Sequence, residues 1–520
     1  MTDQTRPMHR LDRRQALATG LAALACAGTG SAAQEAALPG AELFADATPF
    51  DRDRLVDHAR ALAKRPYAAP NAPLPDGLAN LTREQYATIH ARPERLVWSG
   101  ENPGLVLEPL HRGFVYSAPV HVSVIENGVT RKLVYSPARY DFGRLQAPQA
   151  NVGDIGFSGV RILGLSTDLP SPREIVTFQG ASFLRAVARG QTPGTMARAL
   201  ALRTGEPKGE EIPFFRALWI EKPQRGDLIT VHALLDSESV CGVFRYTIRI
   251  GDVTLIDTEA TLFPRVALDN FGLAGMQAGH LYGWLDRRNV DDIRPVVYEV
   301  AGVQMHTGNG EWVWRPVTNP KQLQISAFSA DNPRGFGFVM RDRDFTSFQD
   351  HENRYDLRPT LWVEPIGDWQ AGVVQLVEIP SDNEGHDNII AQWRPREPLA
   401  AGAEYSYAYR QYWSWLPPVR PNLAMTIGTR IGRGAQRRRK FVIDFAGERA
   451  QSLRPGDIQA AFWCSNNGMS NLRILSVNEQ RPLRVTFELD PGNETLIELR
   501  LVLMQANEPV SETWLYRWTQ

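Results

Sequence analysis

Between Asp291 and Trp393 the chain crowds carboxylates, arginines and tryptophans among glycines and prolines. They fall in DDIRP (291–295), GNGEWVWRP (308–316), RGFGFVMRDRDF (334–345), RPTLWVEPIGDW (358–369) and VEIPSDNEGHDNIIAQW (377–393). This mixture suits the lining of a sugar cleft better than an apolar core. Cleaving a glycosidic bond needs a protonated carboxyl at the leaving oxygen and, with inversion, a second group that activates the attacking hydroxyl from the far side. The candidate acid lies in Glu384-Gly385-His386-Asp387-Asn388, a loop between a β-like run ending at Ile379 and the apolar run Ile389 to Trp393. A carboxylate on a loop held by rigid strands is well placed for catalysis. Spacing alone is equally consistent with Asp387 and Asn388 satisfying backbone groups in a turn.

The tryptophans carry a similar pair of readings. Trp312 and Trp314 alternate along one expected strand and share a face, and Trp362 and Trp369 flank Glu364-Pro365. Indoles stack on the apolar faces of sugar rings while arginines and carboxylates take the hydroxyls. Each tryptophan alone reads more readily as core; of the set, at least one is expected on a sugar.

Other chemistries lack their residues. The histidines are scattered, no HExxH or C-x-x-C occurs, and Asp291-Asp292 reads as a turn cap, so no metal site is expected. Gly308-Asn309-Gly310 has no following Lys-Ser/Thr, and no G-x-S-x-G elbow is present, so neither a phosphate cradle nor a serine triad is anchored. No cofactor is implied.

The elements that must position this chemistry are mostly strands. An amphipathic helix is expected over Phe50 to Ala63, with apolar Leu55, Val56, Ala59, Leu62 and Ala63, and short helical pieces over Thr82 to His90 and Thr195 to Leu202. From Leu96 onward short alternating or β-branched runs are separated by turn residues: 105–107, 120–125, 132–135, 175–178, 228–235, 243–250, 254–263, 296–300, 373–379 and 405–413. Asn127-Gly128 is a two-residue hairpin signal. Strands with few crossover helices predict an all-β chain of antiparallel sheets packed as sandwiches. A proline-rich break at 415–423 precedes six further strand runs within 424–520, a size and count suited to an immunoglobulin-like sandwich. The run Arg437 to Lys440 reads as a solvated loop feeding a strand.

The 520 residues exceed one ordinary core, so two domains or one very large one are expected. With 57 basic against 58 acidic residues, no global field draws the chain to nucleic acid or to an anionic membrane. Arg13-Arg14, the weakly apolar run Ala16 to Ala27 and Ser31-Ala32-Ala33 resemble a twin-arginine export signal over 1–33, too short to span a bilayer, with the twin-arginine translocase as partner during export. Its removal takes Arg6, Arg10, Arg13 and Arg14 against Asp3 and Asp12, leaving a net charge of about −3. The remaining cysteines, Cys241 and Cys464, fall in different expected domains, so a disulfide framework is not expected.

DDIRP, TGNGEWVWRP, RGFGF, RDRDF, RPTLWVEP, GDW and VEIP-x-x-x-E-x-x-DNI-x-x-x-W together resemble the periplasmic glucan biosynthesis proteins G and D. Gly180 to Phe183, Ala197-Arg198 and Gly209 to Glu211 extend the likeness, which runs from about residue 40 to the C-terminus. Twin-arginine export is the D-like feature. The resemblance implies a large galactose-mutarotase-like β-sandwich over 40–414, the linker 415–423 and an immunoglobulin-like domain over 424–520. It also implies periplasmic residence and action on the β-1,2-linked backbone of osmoregulated periplasmic glucans as an inverting glycoside hydrolase or transglycosylase. Carried onto this chain, the family acid falls on Asp387 with Glu384 beside it. Substrate contacts are expected from Trp312, Trp314, Arg315, Arg341, Arg343, Trp362, Glu364 and Trp369. Partners are β-1,2-glucan chains, with no nucleic acid and no stable membrane insertion, and homo-oligomerisation is left open.

The likeness breaks at three places. Where the family reads H-D-S-D-G, this chain has Tyr298-Glu299-Val300-Ala301-Gly302; the upstream Tyr-Gly-x-Ser-Ala-Arg-Gly pattern becomes Pro193 to Ala199; and Met340 replaces a glutamine before RDRDF. Either Glu299 serves as the base, or a sugar hydroxyl attacks in place of water, with Val300, Ala301 and Met340 leaning to transfer through water exclusion. A non-catalytic glucan-binding scaffold is the alternative class.

Overall fold

The computed structural model describes Pro39 and residues 41–520 apart from 71, 76, 102–103, 149–152, 166–171, 288–289 and 479–482. The export signal expected over 1–33 lies outside them.

Two large sheets face each other. The longer is built around Phe214–Glu221, Leu228–Asp236, Val240–Arg249 and Thr254–Pro264, then Tyr405–Ser414, Thr360–Ile366, Gly335–Val339, Gly302–His306 and Trp312–Pro316. The second runs from Gln324–Asp331 through Ala371–Glu378, Ile389–Pro395 and Phe271–Ala278 to Met196–Arg198, Phe183–Ala186, Arg173–Gln179, Gly159–Gly164 and Leu105–Leu110. Their inner faces meet in one apolar core, where Phe178 of the second sheet packs on Tyr246 of the first at 5.2 Å between ring centroids. Thr254–Pro264 and Tyr405–Ser414 show alternating burial, others such as Phe271–Ala278 are buried on both faces, and turn chemistry sets register at the hairpins. His121–Glu126 pairs with Val129–Lys132 across Asn127 (φ 52°) and Gly128 (φ 78°), the positive pair a tight hairpin demands.

The helix Arg52–Ala63 is capped by Asp51, whose carboxylate accepts from the Asp53 amide at 2.8 Å. Its Leu55 and Ala59 pack with Trp219, Val243 and Phe263 on the outer face of the longer sheet.

After the proline-rich break, Met425–Arg433, Arg439–Ala446, Leu483–Leu489 and Met469–Leu475 form a four-stranded sheet facing Gln459–Cys464, Leu496–Gln505 and Thr513–Thr519. The two layers enclose a second core in which Phe441 and Phe487 stack at 4.8 Å. The outer three strands continue the long sheet, because Trp312–Pro316 runs parallel to Thr513–Thr519 with Val313 opposite Thr513 and Trp314 opposite Trp514. The two cores are therefore separate while one sheet crosses between them. Cys241 and Cys464 are free and buried in different cores.

Three expectations change. The strand expected over 132–135 is instead Val129–Lys132. Residues 195–202 form no helical turn: Met196–Arg198 and Ala201–Leu202 are strands paired with Phe271–Ala278, where ladder bonds outweigh the weak local preference of a short segment. The strand expected over 296–300 shrinks to Val297–Tyr298, because Glu299 leaves the ladder.

Candidate active site

Asp387 sits half-buried near the end of the loop 379–388, between the adjacent strands Ala371–Glu378 and Ile389–Pro395. The loop is closed at its base by Ile379 N–H donating to the Asn388 carbonyl (2.9 Å) and the Asn388 amide donating to the Ile379 carbonyl (3.0 Å). Asn388 Oδ1 accepts from the His280 amide at 2.8 Å, and Asn319 exchanges hydrogen bonds with the backbone of Ser381. Asn388 thus serves the backbone while its neighbour Asp387 faces a row of polar side chains.

Gln277, on the strand next to Ile389–Pro395, donates through Nε2 to Asp387 Oδ2 at 2.8 Å. Its own carbonyl accepts from Arg198 Nε at 2.6 Å, which fixes the amide so that its NH2 must point at the carboxyl. Arg198 is in turn paired with Glu210, which takes a 2.7 Å hydrogen bond from Thr204. The chain Glu210, Arg198, Gln277, Asp387 crosses three strands and leaves Asp387 little rotational freedom.

Glu299 is the second carboxylate. Its amide donates to the Gly279 carbonyl at 2.8 Å, and its Oε1 lies 3.6 Å from Arg358 Nε. Burial pushes its pKa up to about 7; Arg358 opposes the rise and the negative charge of Asp387 adds to it. Asp387 also contributes to the raised pKa of Tyr116, for which burial is the main cause. Gly194 is part of the same structure: a Cβ there would stand 2.6 Å from Arg358 Cδ and 2.9 Å from Glu299 Oε1. Two of the segments that depart from the family pattern, 193–199 and 298–302, therefore meet at one point, with Arg358 between them.

The remaining expected site residues divide clearly. Glu384 is exposed and ion-paired at 2.7 Å with Arg294, whose guanidinium also holds Asp292 and Asp350, each at 2.8 Å. It clamps the acid loop to DDIRP. Arg343 donates to the backbone carbonyls of Arg358 (2.7 Å) and Trp415 (2.9 Å), so it fixes the segment that carries Arg358; burial brings its pKa down to about 10. Glu364 accepts from Tyr412 at 2.8 Å and Trp362 at 3.3 Å, outside the Asp387 network.

The sugar-facing role expected of the tryptophans and two arginines is corrected by burial. Trp312, Trp314, Trp362 and Trp369 are 7%, 4%, 1% and 5% exposed. Trp312 lies between His306 (4.2 Å) and Trp362 (5.9 Å), Trp369 packs with Trp393 and Tyr409, and the Arg341 guanidinium covers Trp314 at 3.6 Å. Arg341 is also bound to Glu512, and Arg315 is a buried partner of Glu378 at 3.0 Å. None of them belongs to the Asp387 network. Val300 and Met340, at 0% and 1% exposed, also belong to cores, so they cannot exclude water from the cleft directly.

Sequence reasoning missed Gln277, Arg358, Gly194, Tyr355 and Tyr116. Tyr355 feels the charges of Glu384 and Glu299 and packs its ring against Arg358 at 5.5 Å. Arg358, inside RPTLWVEP, and Gly194, inside the altered segment 193–199, were the two that carried a local signal.

With an acid candidate held by an oriented amide, and a carboxylate near neutrality beside an arginine, the site can give and take protons at neutral pH. A family described as periplasmic glucan biosynthesis protein, MdoG, matches residues 50–518. The chain is 42% identical over 482 residues to glucans biosynthesis protein G of Shewanella sp. (strain ANA-3), covering 92% of this chain and 88% of that one. It is 42% identical over 486 residues to the protein of the same name from Vibrio cholerae serotype O1 (strain ATCC 39541 / Classical Ogawa 395 / O395), with the same coverage. Among solved structures, the GH36 alpha-galactosidase AgaA from Geobacillus stearothermophilus aligns at TM-score 0.26 and 9% identity, over 49% of this chain and 39% of that one. A galactose mutarotase related enzyme from Lactobacillus acidophilus aligns at 0.20 and 8%, over 47% and 99%. Likeness that slight adds nothing to the assignment. The family match and the two curated relatives span both sandwiches and the whole Asp387 network, and on them this chain belongs to the periplasmic glucan biosynthesis protein family.

Proposed function

We propose that this periplasmic family member is an enzyme acting on β-1,2-linked glucan with inversion. Asp387 protonates the departing glucosidic oxygen, and Glu299 takes the proton of the attacking hydroxyl, from water in hydrolysis or from a sugar in transfer. The observation that carries the reading is the pairing of unlike carboxylates. One is oriented by Gln277 at 2.8 Å, and the other is pushed up to about 7 by burial within reach of the first one's charge. Two carboxyls close enough to feel one another's charge are what paired acid and base roles require. The reaction needs the proton on Asp387 and the charge on Glu299, so the two carboxyls share one proton that must pass to Asp387 before turnover, and Arg358 at 3.6 Å is the group that favours ionised Glu299.

Linear β-1,2-glucan incubated with the protein and followed by mass spectrometry tests this. Shorter chains mean hydrolysis, and chains lighter by one water mean intramolecular transfer. An unchanged mixture that still binds the protein removes the enzymatic reading and leaves a binding role in glucan biosynthesis.

A further inference from the structure

A second concave site lies where the two sandwiches meet. It is a cavity of about 170 Å³ whose walls include His280, Trp284, Tyr298 and Asp342 from the first sandwich and Thr426 and Arg430 from the second. One of these residues, Thr426, carries a buried hydroxyl, Oγ1, with no hydrogen-bond partner among the described residues, whereas His280 Nε2 faces Asp286 Oδ2 at 3.3 Å. Thr426 is 1% exposed, so its hydroxyl is not satisfied by bulk solvent. An orphaned buried polar atom is destabilising, and one on a cavity wall calls for a ligand that hydrogen-bonds there.

The rest of the lining narrows the ligand. Trp284 is 48% exposed, unlike the four buried tryptophans discussed above, and it offers an indole surface to a ring of C–H groups. Asp342 makes no ion pair among the described residues, and its carboxylate accepts from the Asp344 amide at 3.1 Å. An anion would meet Asp342, and a cation would meet Arg341 and Arg430. A neutral ring bearing hydroxyls that both donate and accept meets neither penalty.

We infer that this interdomain cavity binds one glucosyl ring, the end of a glucan chain whose scissile bond lies at Asp387. The inference rests on the glucan reading above and adds a second contact point to it. Placement favours a link between the two points. The His280 amide donates to Asn388, the neighbour of Asp387, at 2.8 Å, and the His280 ring stacks on Tyr298, the neighbour of Glu299, at 5.3 Å. A ring seated in the cavity touches His280 and Tyr298, the two residues that join it to the neighbours of both carboxylates.

The test uses the full chain carrying Asp387→Asn, so that glucan is not consumed, and calorimetric titration with linear β-1,2-glucan and with free glucose. Adding Trp284→Ala is expected to weaken glucan binding about tenfold, and adding Thr426→Val about threefold. Because the valine removes an orphaned hydroxyl, it should leave Tm unchanged or higher, so a loss of affinity there cannot come from misfolding. Glucose affinity that falls in step with the glucan affinity identifies a site for the free sugar as well; an effect on glucan alone identifies the chain end. If both double variants bind glucan as tightly as Asp387→Asn itself, the cavity inference is overturned while the glucan reading stands. If Asp387→Asn and the unaltered chain bind no glucan at all, the glucan reading fails and takes this inference with it.

Discussion

The Asp387 site and the Trp312–Trp362 stack come from the same hundred residues and the same composition, yet the fold treats them in opposite ways. At Asp387 the polar groups are half-buried, linked in a row and electrostatically coupled. At Trp312 the ring is sealed between His306 and Trp362, and every residue of Trp312–Pro316 is buried. The difference lies in which faces of a strand remain uncovered. Loop 379–388 leaves the sheet and is free to present a side chain; Trp312–Pro316 lies where the two cores adjoin, with Val313 in one and Trp314 in the other. Aromatic and charged composition therefore marks a region and does not say which of its residues meet a ligand.

That contrast can be broken from either side. Asp387→Asn should lower kcat on β-1,2-glucan by about three orders of magnitude, within the usual range for a lost proton donor, while glucan binding measured by calorimetry changes less than threefold. Full activity in that variant would remove Asp387 as the acid. Trp362→Ala should instead destabilise folding by about 3–5 kcal/mol, read by chemical denaturation, with unchanged KM in the fraction that folds. A Trp362→Ala protein of normal stability that no longer bound glucan would return the stack to the cleft.

Glu299→Gln sharpens the comparison through pH. The folded-state pKa of about 7 lies above the ordinary value of 4.5, so protonated Glu299 is favoured by folding. The stability it contributes is fully present below about 4.5 and is lost as pH rises through about 7. Glutamine should be near neutral at pH 4.5 and should raise stability at pH 8 by up to about 3 kcal/mol, while removing the neutral limb of the pH–rate profile. Equal Tm differences at the two pH values would show that Glu299 does not titrate as argued.

Gly194→Ala should then cost about 10- to 100-fold in kcat, because the new methyl displaces Arg358 and Glu299, with a Tm change of a few degrees at most. Gln277→Leu is expected to give the smallest effect, about tenfold in kcat with KM preserved and a moved acid limb in the pH profile. A shift in KM alone would mean that Gln277 touches substrate rather than orienting Asp387.

Much of this molecule was legible residue by residue. The strand expected over 228–235 is Leu228–Asp236, Asn127-Gly128 makes the expected hairpin, and the helix expected over 50–63 is Arg52–Ala63. These follow from local rules, alternation, turn conformation and capping, which act over a few residues. The loop carrying Asp387 was legible for the same reason, since it interrupts two clear strand runs.

What only the tertiary structure decided was convergence and coverage. Gly194, Glu299 and Arg358 meet because three distant segments cross at one edge of the sandwich, and the oriented amide of Gln277 is 110 positions from the carboxyl it serves. No local rule encodes such a meeting. Nor does strand parity reveal that both faces of Trp312–Pro316 are covered, since that depends on Thr513–Thr519 pairing alongside and a second core closing over it. The sequence determined the strands and the loop that holds an acid; long-range packing determined which indoles were walls and which carboxylates were left to face one another.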